Sequence, residues 1–268
     1  MKLTSLFYEW HADLATCVFL ALIVSIFYSL GGFRFKKSIY CFFSALFLFI
    51  LVTFSPLHYL GMHYYFSAHM IAHIIILLVC GPLIIVSIPI SSPTFFFKKI
   101  EALSSLLFKY PLISWITGAV VMWLWHIPYV FDASFAHMHE SLNFMPLMHS
   151  ASMLLAGMIF SWPLVGPFLK YRIHPLVGIV YLFTACISCS LLGLLITFAP
   201  PNTYHHYVNT SSSIGMSVNP LGISAIEDQK AAGLIMWVPC CLIYLTGCIY
   251  LLQQWFAVDD TISLNQSN

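Results

Sequence analysis

The chain has 268 residues, of which 60% are hydrophobic and only 7% are charged, with a mean hydropathy of +0.91 and a formal net charge of +1. A soluble domain carries about a quarter charged residues, so these charges are too few to solvate a globular surface. Nucleic acid is excluded as a partner, because no basic stripe is present to neutralise phosphates. The composition therefore indicates a protein that lies in a lipid bilayer.

Seven apolar stretches approach the roughly 20 residues that a helix needs to cross a bilayer. They run over residues 12–30, 39–57, 66–89, 111–131, 144–165, 176–199 and 232–256. We interpret the first as a retained span and not as a signal peptide, because Glu9 and Asp13 crowd its start. The predicted fold is all-α: a single polytopic membrane domain over residues 1–268, built as a bundle of seven transmembrane helices with an outer loop over 200–231.

Lysine and arginine predict the orientation of this bundle. The loops after the first, third and fifth stretches contain Arg34, Lys36, Lys37, Lys98, Lys99, Lys109, Lys170 and Arg172. The other side receives only Lys2 and Lys230. The positive-inside rule therefore places the N-terminus outside and the C-terminus in the cytoplasm.

Histidines fall almost entirely on the predicted outer side, where all of them except His174 are found. His69 and His73 are four residues apart on the third stretch, so their imidazoles share one helical face. His126 lies at the outer end of the fourth stretch and His149 near the outer start of the fifth. These four histidines predict a metal site near the outer surface, although each could instead form a hydrogen bond to a neighbouring helix.

Several metals and one cofactor suit this predicted site. Imidazole accepts zinc, copper, iron or nickel, and thioethers such as that of Met70 favour Cu(I). Haem is the alternative, because two helices that each donate one histidine can hold its iron. His139, which neighbours Met138, and Asp228, just before the seventh stretch, are further candidates for a ligand or a proton path. The eight cysteines fall within the spans, where we interpret them as apolar filler.

Three short motifs occur in a characteristic order along the chain. His69-Met70-Ile71-Ala72-His73 opens the third stretch, Trp125-His126-Ile127-Pro128 closes the fourth, and Glu227-Asp228-Gln229 precedes Gly233-Leu234-Ile235-Met236-Trp237. Together, over residues 55–256, they resemble the CtaG family, the polytopic cytochrome c oxidase assembly factors of bacteria that serve caa3-type oxidases. His69, His73, His126 and Asp228 match the recurrent polar residues of that family, and His149 matches a histidine near its fifth span.

The resemblance implies a non-enzymatic role in maturing haem–copper oxidases, through delivery or handling of copper at the outer face of the bacterial inner membrane. It also implies oxidase subunits or copper chaperones as partners. No nucleophile–base pair or phosphate-binding glycine loop argues for catalysis. Two alternatives stay open: a haem-binding membrane electron-transfer protein, and a copper transporter, which would need polar residues that continue across the membrane.

Overall fold

The structure is a computed structural model that describes residues 10–89, 95–135, 144–201, 203–208 and 222–266, without the side chains of Phe95 and of residues 258–266. These ranges are helical and contain no strand, which confirms the predicted all-α class for the part of the chain described. In chain order the helices are α1 (Leu14–Ser29), α2 (Lys36–Phe54), α3 (Pro56–His63), α4 (Phe66–Ser87), α5 (Phe95–Lys109), α6 (Pro111–His126), α7 (Pro128–Phe135), α8 (Met145–Val165), α9 (Pro175–Phe198) and α10 (Ala225–Gln266).

Five helices in the described ranges are long and apolar enough to cross a membrane: α2, α4, α8, α9 and α10 as far as Ala257. The chain is therefore a multi-pass membrane protein. α1 is apolar but has only 16 residues. α5 and α6 meet at 90° and count as a sixth candidate if they form one broken span. The predicted total of seven spans and the orientation of the termini stay predictions.

The predicted span over 111–131 is not one continuous helix. α6 ends at His126, because Ile127 adopts an extended backbone with ψ of 123° before Pro128, and α7 begins there. A residue that precedes proline is pushed out of the helical region, which accounts for the break. The segment before α6 is also helical, as α5, where the sequence predicted a loop. Within α5, the Ser104 hydroxyl accepts a hydrogen bond from Trp162 of α8 over 2.9 Å.

The predicted outer loop over 200–231 is also too long. α10 begins at Ala225 and not at 232, so the last part of that segment belongs to the helix. Ser224 and Glu227 cap this start reciprocally: the Ser224 hydroxyl donates to the Glu227 carboxylate over 2.7 Å and accepts from the Glu227 N–H over 3.3 Å. This capping box is written in the sequence as a serine followed three residues later by glutamate.

α4 and α8 approach each other closely enough to exclude side chains at two positions. A Cβ atom on Gly81 would lie 2.6 Å from the carbonyl carbon of Gly157, and one on Gly157 would overlap the carbonyl oxygen of Leu77. Between His73 and Gly81, α4 widens into a π-turn over Ile75–Cys80. Pro82 cannot donate a hydrogen bond to the carbonyl four residues earlier, and such a turn accommodates that loss. The close contact fixes the start of α8 beside the start of α4.

Most of the histidines and most of the basic residues lie at opposite ends of the helices; His174 and Lys230 are exceptions. The four predicted ligands are near the start of α4, the end of α6 and the start of α8. Five of the basic residues lie on α5, with Lys98, Lys99 and Lys109, and in the connection from α8 to α9, with Lys170 and Arg172. Lys170 pairs with Glu101 of α5 over 2.6 Å, which ties these two segments together.

Candidate metal centre

Three imidazoles from two helices meet near the starts of α4 and α8. One ligand atom from each of His69, His73 and His149 lies within 4.8 Å of the other two. The Nε2 atoms of His69 and His73 are 2.9 Å apart. His149 reaches them from α8, with its ring centroid 5.2 Å from that of His69 and 4.5 Å from that of His73. We call these three residues the histidine trio.

His126 lies behind His73, on the side away from His69. Its Nε2 is 3.3 Å from Nδ1 of His73, whereas His69 approaches the opposite nitrogen of the same ring. The Sδ atom of Met70 lies 3.2 Å from Nε2 of His126. His73, His126 and Met70 are almost completely buried, with 1%, 3% and 0% of their surfaces exposed. His126 and Met70 are therefore neighbours of the trio through His73.

The hydrogen bonds assign the tautomers of two of these rings. Nδ1 of His126 lies 2.5 Å from the carbonyl oxygen of Met122, so Nδ1 carries the proton and Nε2 keeps its lone pair. His73 can then donate its Nδ1 proton to His126 over 3.3 Å, which leaves the Nε2 lone pair of His73 directed at the trio. A hydrogen bond at the far nitrogen is the usual way in which a protein orients a metal-binding histidine.

His149 is the third member and is held by its own neighbours. The Trp125 ring meets it edge-on at 4.7 Å. The Trp125 N–H donates to the Ser152 hydroxyl, which in turn donates to the carbonyl of His149, each over 2.9 Å. Nε2 of His149 is buried and finds no hydrogen-bond partner among the described residues. A buried polar atom without a partner is costly, and a bound ion would satisfy it.

A small cavity of about 30 Å³ opens beside the trio and is lined also by His58, Met62 and Met145. That volume holds one or two water molecules or an ion. Burial lowers the pKa of His58 to about 4, although the nearby Asp13 carboxylate opposes part of this shift. His58 is therefore neutral at pH 7 and offers a further lone pair beside the cavity. The sequence analysis did not select His58 as a ligand, although this histidine directly follows the second apolar stretch.

Aromatic side chains pack against the trio on the side of α7. The Phe131 and Phe135 rings of α7 each lie 5.5 Å from the His69 ring. His206 stacks on Phe135 at 4.1 Å and has its pKa lowered by burial. Tyr204 donates a hydrogen bond to the carbonyl of His126 over 3.1 Å. Segment 203–208, for which no specific role was predicted, thus helps to close the site against water.

Asp228 lies at the start of α4 and acts there on the backbone. Its carboxylate accepts hydrogen bonds from the Phe66 N–H over 2.5 Å, from the Ser67 N–H over 3.3 Å, and from the Ser67 hydroxyl. An anion at this position also suits the helix dipole. Asp228 of α10 therefore caps the helix that carries His69 and His73. It supports the trio from the backbone side, whereas Glu227 caps α10 itself.

The structure thus brings together His69, His73 and His149 of the four predicted ligands and places His126 against His73. His139 lies outside the described residues. The trio fits a metal ion by its geometry, since two imidazole nitrogens each about 2 Å from one ion are separated by about 4 Å at most. The ligand atoms of the trio lie within 4.8 Å of one another, which is close to that separation. Binding of a metal by these residues stays a prediction.

A family model described as cytochrome c oxidase caa3 assembly factor matches residues 9–257 of the chain. The matched range contains the histidine trio, His126, Asp228 and every predicted span. It confirms the resemblance that the three sequence motifs indicated. No curated protein and no solved structure matches the chain.

Proposed function

The chain belongs to the family of cytochrome c oxidase caa3 assembly factors, and from that premise we propose that it handles copper for a haem–copper oxidase. The observation that carries the proposal is the histidine trio, whose ligand atoms lie within 4.8 Å of one another beside a small cavity. The partners are an oxidase subunit or a copper chaperone that meets the protein at the outer face of the bacterial inner membrane.

Copper suits the donor set better than the other metals that imidazole accepts. The thioether-bearing residues Met62 and Met145 line the same cavity as the trio, and thioethers are soft ligands that select Cu(I). Carboxylates would favour harder ions, but Asp228 is occupied by the backbone of α4. The trio would hold the ion, and His126 would keep His73 in the tautomer that binds it.

We also propose the full topology of seven spans with the N-terminus outside. In this arrangement α1 and α6 cross the membrane, and α5, which is bent by 90° from α6 and carries three lysines, lies along the cytoplasmic surface. The separation of the trio from the basic residues supports this orientation. A carboxyl-terminal reporter that matures only in the cytoplasm is expected to be active.

Haem is the weaker candidate for the site. The imidazoles of the trio lie in contact, with ring centroids 4.4 to 5.2 Å apart, and leave no slot for a flat macrocycle between them. The adjoining cavity of about 30 Å³ is far below the roughly 300 Å³ or more of sites for organic ligands. A copper transporter is also disfavoured, because the residues that follow the trio along α4 and α8, such as Ile76, Leu77 and Met153, are apolar core residues and continue no path of ligands along these helices.

The test is oxidase activity in membranes of a strain in which this protein is replaced by variants. His69→Ala/His73→Ala is expected to lower the activity at least about tenfold at limiting copper, because loss of ligands weakens metal binding. His126→Ala is expected to lower it less. His174→Asn is the matched control, because asparagine can replace the cap that His174 provides for α9. Normal activity in both the double variant and His126→Ala, at normal protein levels, would contradict the proposal.

A further inference from the structure

Four cysteines meet between α9 and α10. Cys186 and Cys189 lie one turn apart on α9, and Cys240 and Cys241 follow each other on α10. The Sγ atoms of Cys186 and Cys241 are 3.3 Å apart. Cys189 lies beside Cys240 and donates to the carbonyl of Met236 over 3.3 Å. Two facing pairs of thiols therefore form at one level of the bundle.

This level lies deep within the membrane-spanning part of α9. Cys186 stands 12 residues before Phe198, which corresponds to about 18 Å along the helix. The helices come this close because Gly193 faces Gly233: a Cβ atom on Gly193 would lie 2.8 Å from the carbonyl oxygen of Gly233. Small residues at such a crossing are typical of packed membrane helices. The thiol pairs are thus well separated along the chain and in depth from the histidine trio.

Packing alone accounts for the pair Cys189 and Cys240 but not for the pair Cys186 and Cys241. Cys189 and Cys240 are 0% and 1% exposed, and as small apolar groups they fill the core between the helices. Cys186 and Cys241 are only partly buried, and their contact is between the two sulfurs. The Ser190 hydroxyl lies 3.3 Å from Cys241 Sγ and donates to the carbonyl of Cys186 over 2.8 Å. A polar group thus accompanies this pair at a depth where polar groups tend to be functional.

We propose that Cys186 and Cys241 form a Cu(I)-binding pair within the membrane, separate from the histidine trio. The choice of copper rests on the proposed function, but the pair itself also points to a soft monovalent ion. Structural zinc sites use four converging ligands, which are cysteines or a combination of cysteines and histidines. Among the described residues, only the histidine trio brings three candidate ligand atoms within 4.8 Å. The sulfurs are paired, and two soft sulfur ligands suit Cu(I).

The charge also favours a monovalent ion, because an uncompensated charge is expensive to bury in a membrane. Cu(I) bound by one thiolate and one thiol is neutral. Two Cu–S bonds form, one S–H bond breaks, and its proton leaves to water. Copper stays in the Cu(I) state, so no oxidant or reductant is consumed.

The test is a Cu(I) titration of the full-length, detergent-purified protein under anaerobic, reducing conditions, in competition with a chromogenic Cu(I) chelator. Working in the His69→Ala/His73→Ala background removes the trio and isolates the thiol site. One equivalent of Cu(I) with sulfur ligation in X-ray absorption is expected to remain. It should be lost when Cys186→Ser/Cys241→Ser is added and kept when Cys17→Ser/Cys41→Ser is added instead. Retention of Cu(I) in the Cys186→Ser/Cys241→Ser protein, or no Cu(I) in the background protein, overturns the proposal.

A second measurement uses no cysteine variant, so it tests the proposal even if the Cys186→Ser/Cys241→Ser protein does not fold. In the unmutated chain, bound Cu(I) is expected to protect Cys186 and Cys241 from a membrane-permeant maleimide, while Cys17 stays reactive. Equal labelling with and without Cu(I) overturns the proposal. Because these readouts do not involve oxidase activity, the thiol site can fail while the histidine trio stands, and the reverse.

Discussion

Replacing Asp228 by alanine is expected to weaken the start of α4 and with it the histidine trio. The carboxylate is 3% exposed and accepts hydrogen bonds from the N–H groups of Phe66 and Ser67 and from the Ser67 hydroxyl. Hydrogen bonds to a charged group contribute about 1.5–3 kcal/mol each, and a buried N–H left without a partner costs about 1–3 kcal/mol. These contributions overlap, so we expect Asp228→Ala to destabilise the protein by about 3 kcal/mol.

Asp228→Asn is expected to cost less, about 1 kcal/mol, because the amide oxygen still accepts one hydrogen bond and its NH₂ can donate to the Ser67 hydroxyl oxygen. The assay is thermal unfolding in detergent, combined with copper retention. Glu227→Ala is the matched control, since that exposed neighbouring carboxylate bonds Ser224 and not α4. Thermal stability and copper retention should both fall more in Asp228→Ala than in Asp228→Asn. Copper binding should be unchanged in Glu227→Ala. If Asp228→Ala unfolds and binds copper as Glu227→Ala does, then Asp228 does not support the trio through α4.

Two further predictions concern packing and pH. Gly157→Ala is expected to push α8 away from Leu77 and to destabilise the protein by about 1–3 kcal/mol. Copper retention should also fall, because His149 moves with α8. An unchanged melting temperature and an unchanged copper content would contradict the close packing of α4 and α8. His58 has its pKa lowered from 6.5 to about 4 mainly by burial, with Asp13, His63 and His11 nearby. Below about pH 6.5 the unfolded chain therefore binds a proton at His58 that the folded chain takes up only near pH 4, so the contribution of His58 to stability should be constant above pH 6.5 and fall by up to about 3 kcal/mol between these values. Melting temperatures measured from pH 8 to pH 4 should show this fall in the parent and a shallower one in His58→Gln.

The local features of the chain could be predicted because each is written in neighbouring residues. The i, i+4 spacing of His69 and His73 fixes their shared face, and apolar runs mark the long spans. The helix break after His126 is also a local feature, because Ile127 precedes Pro128. A count of apolar residues does not detect this break, since both residues are apolar. The early start of α10 follows from the Ser224–Glu227 capping box in the same way.

Features that join distant segments could not be predicted. Asp228 caps a helix that begins 162 residues earlier at Phe66, and no local pattern shows that contact. The pattern of each single helix indicates only that its cysteines fill the apolar core. The contact between Cys186 and Cys241 arises from the packing of α9 on α10. His126 could be grouped with the other histidines by depth, but its place behind His73 depends on the rotation of α6, which the sequence leaves open.

The most direct test of the central claim is metal and haem analysis of the purified full-length protein beside its His69→Ala/His73→Ala variant. Copper binding by the trio predicts one equivalent more copper in the parent than in the variant, with nitrogen ligation of that copper and no haem absorption band in either. Equal copper in the two proteins would contradict the trio as a copper site. A haem band present in the parent and lost in the variant would replace copper handling with the electron-transfer alternative.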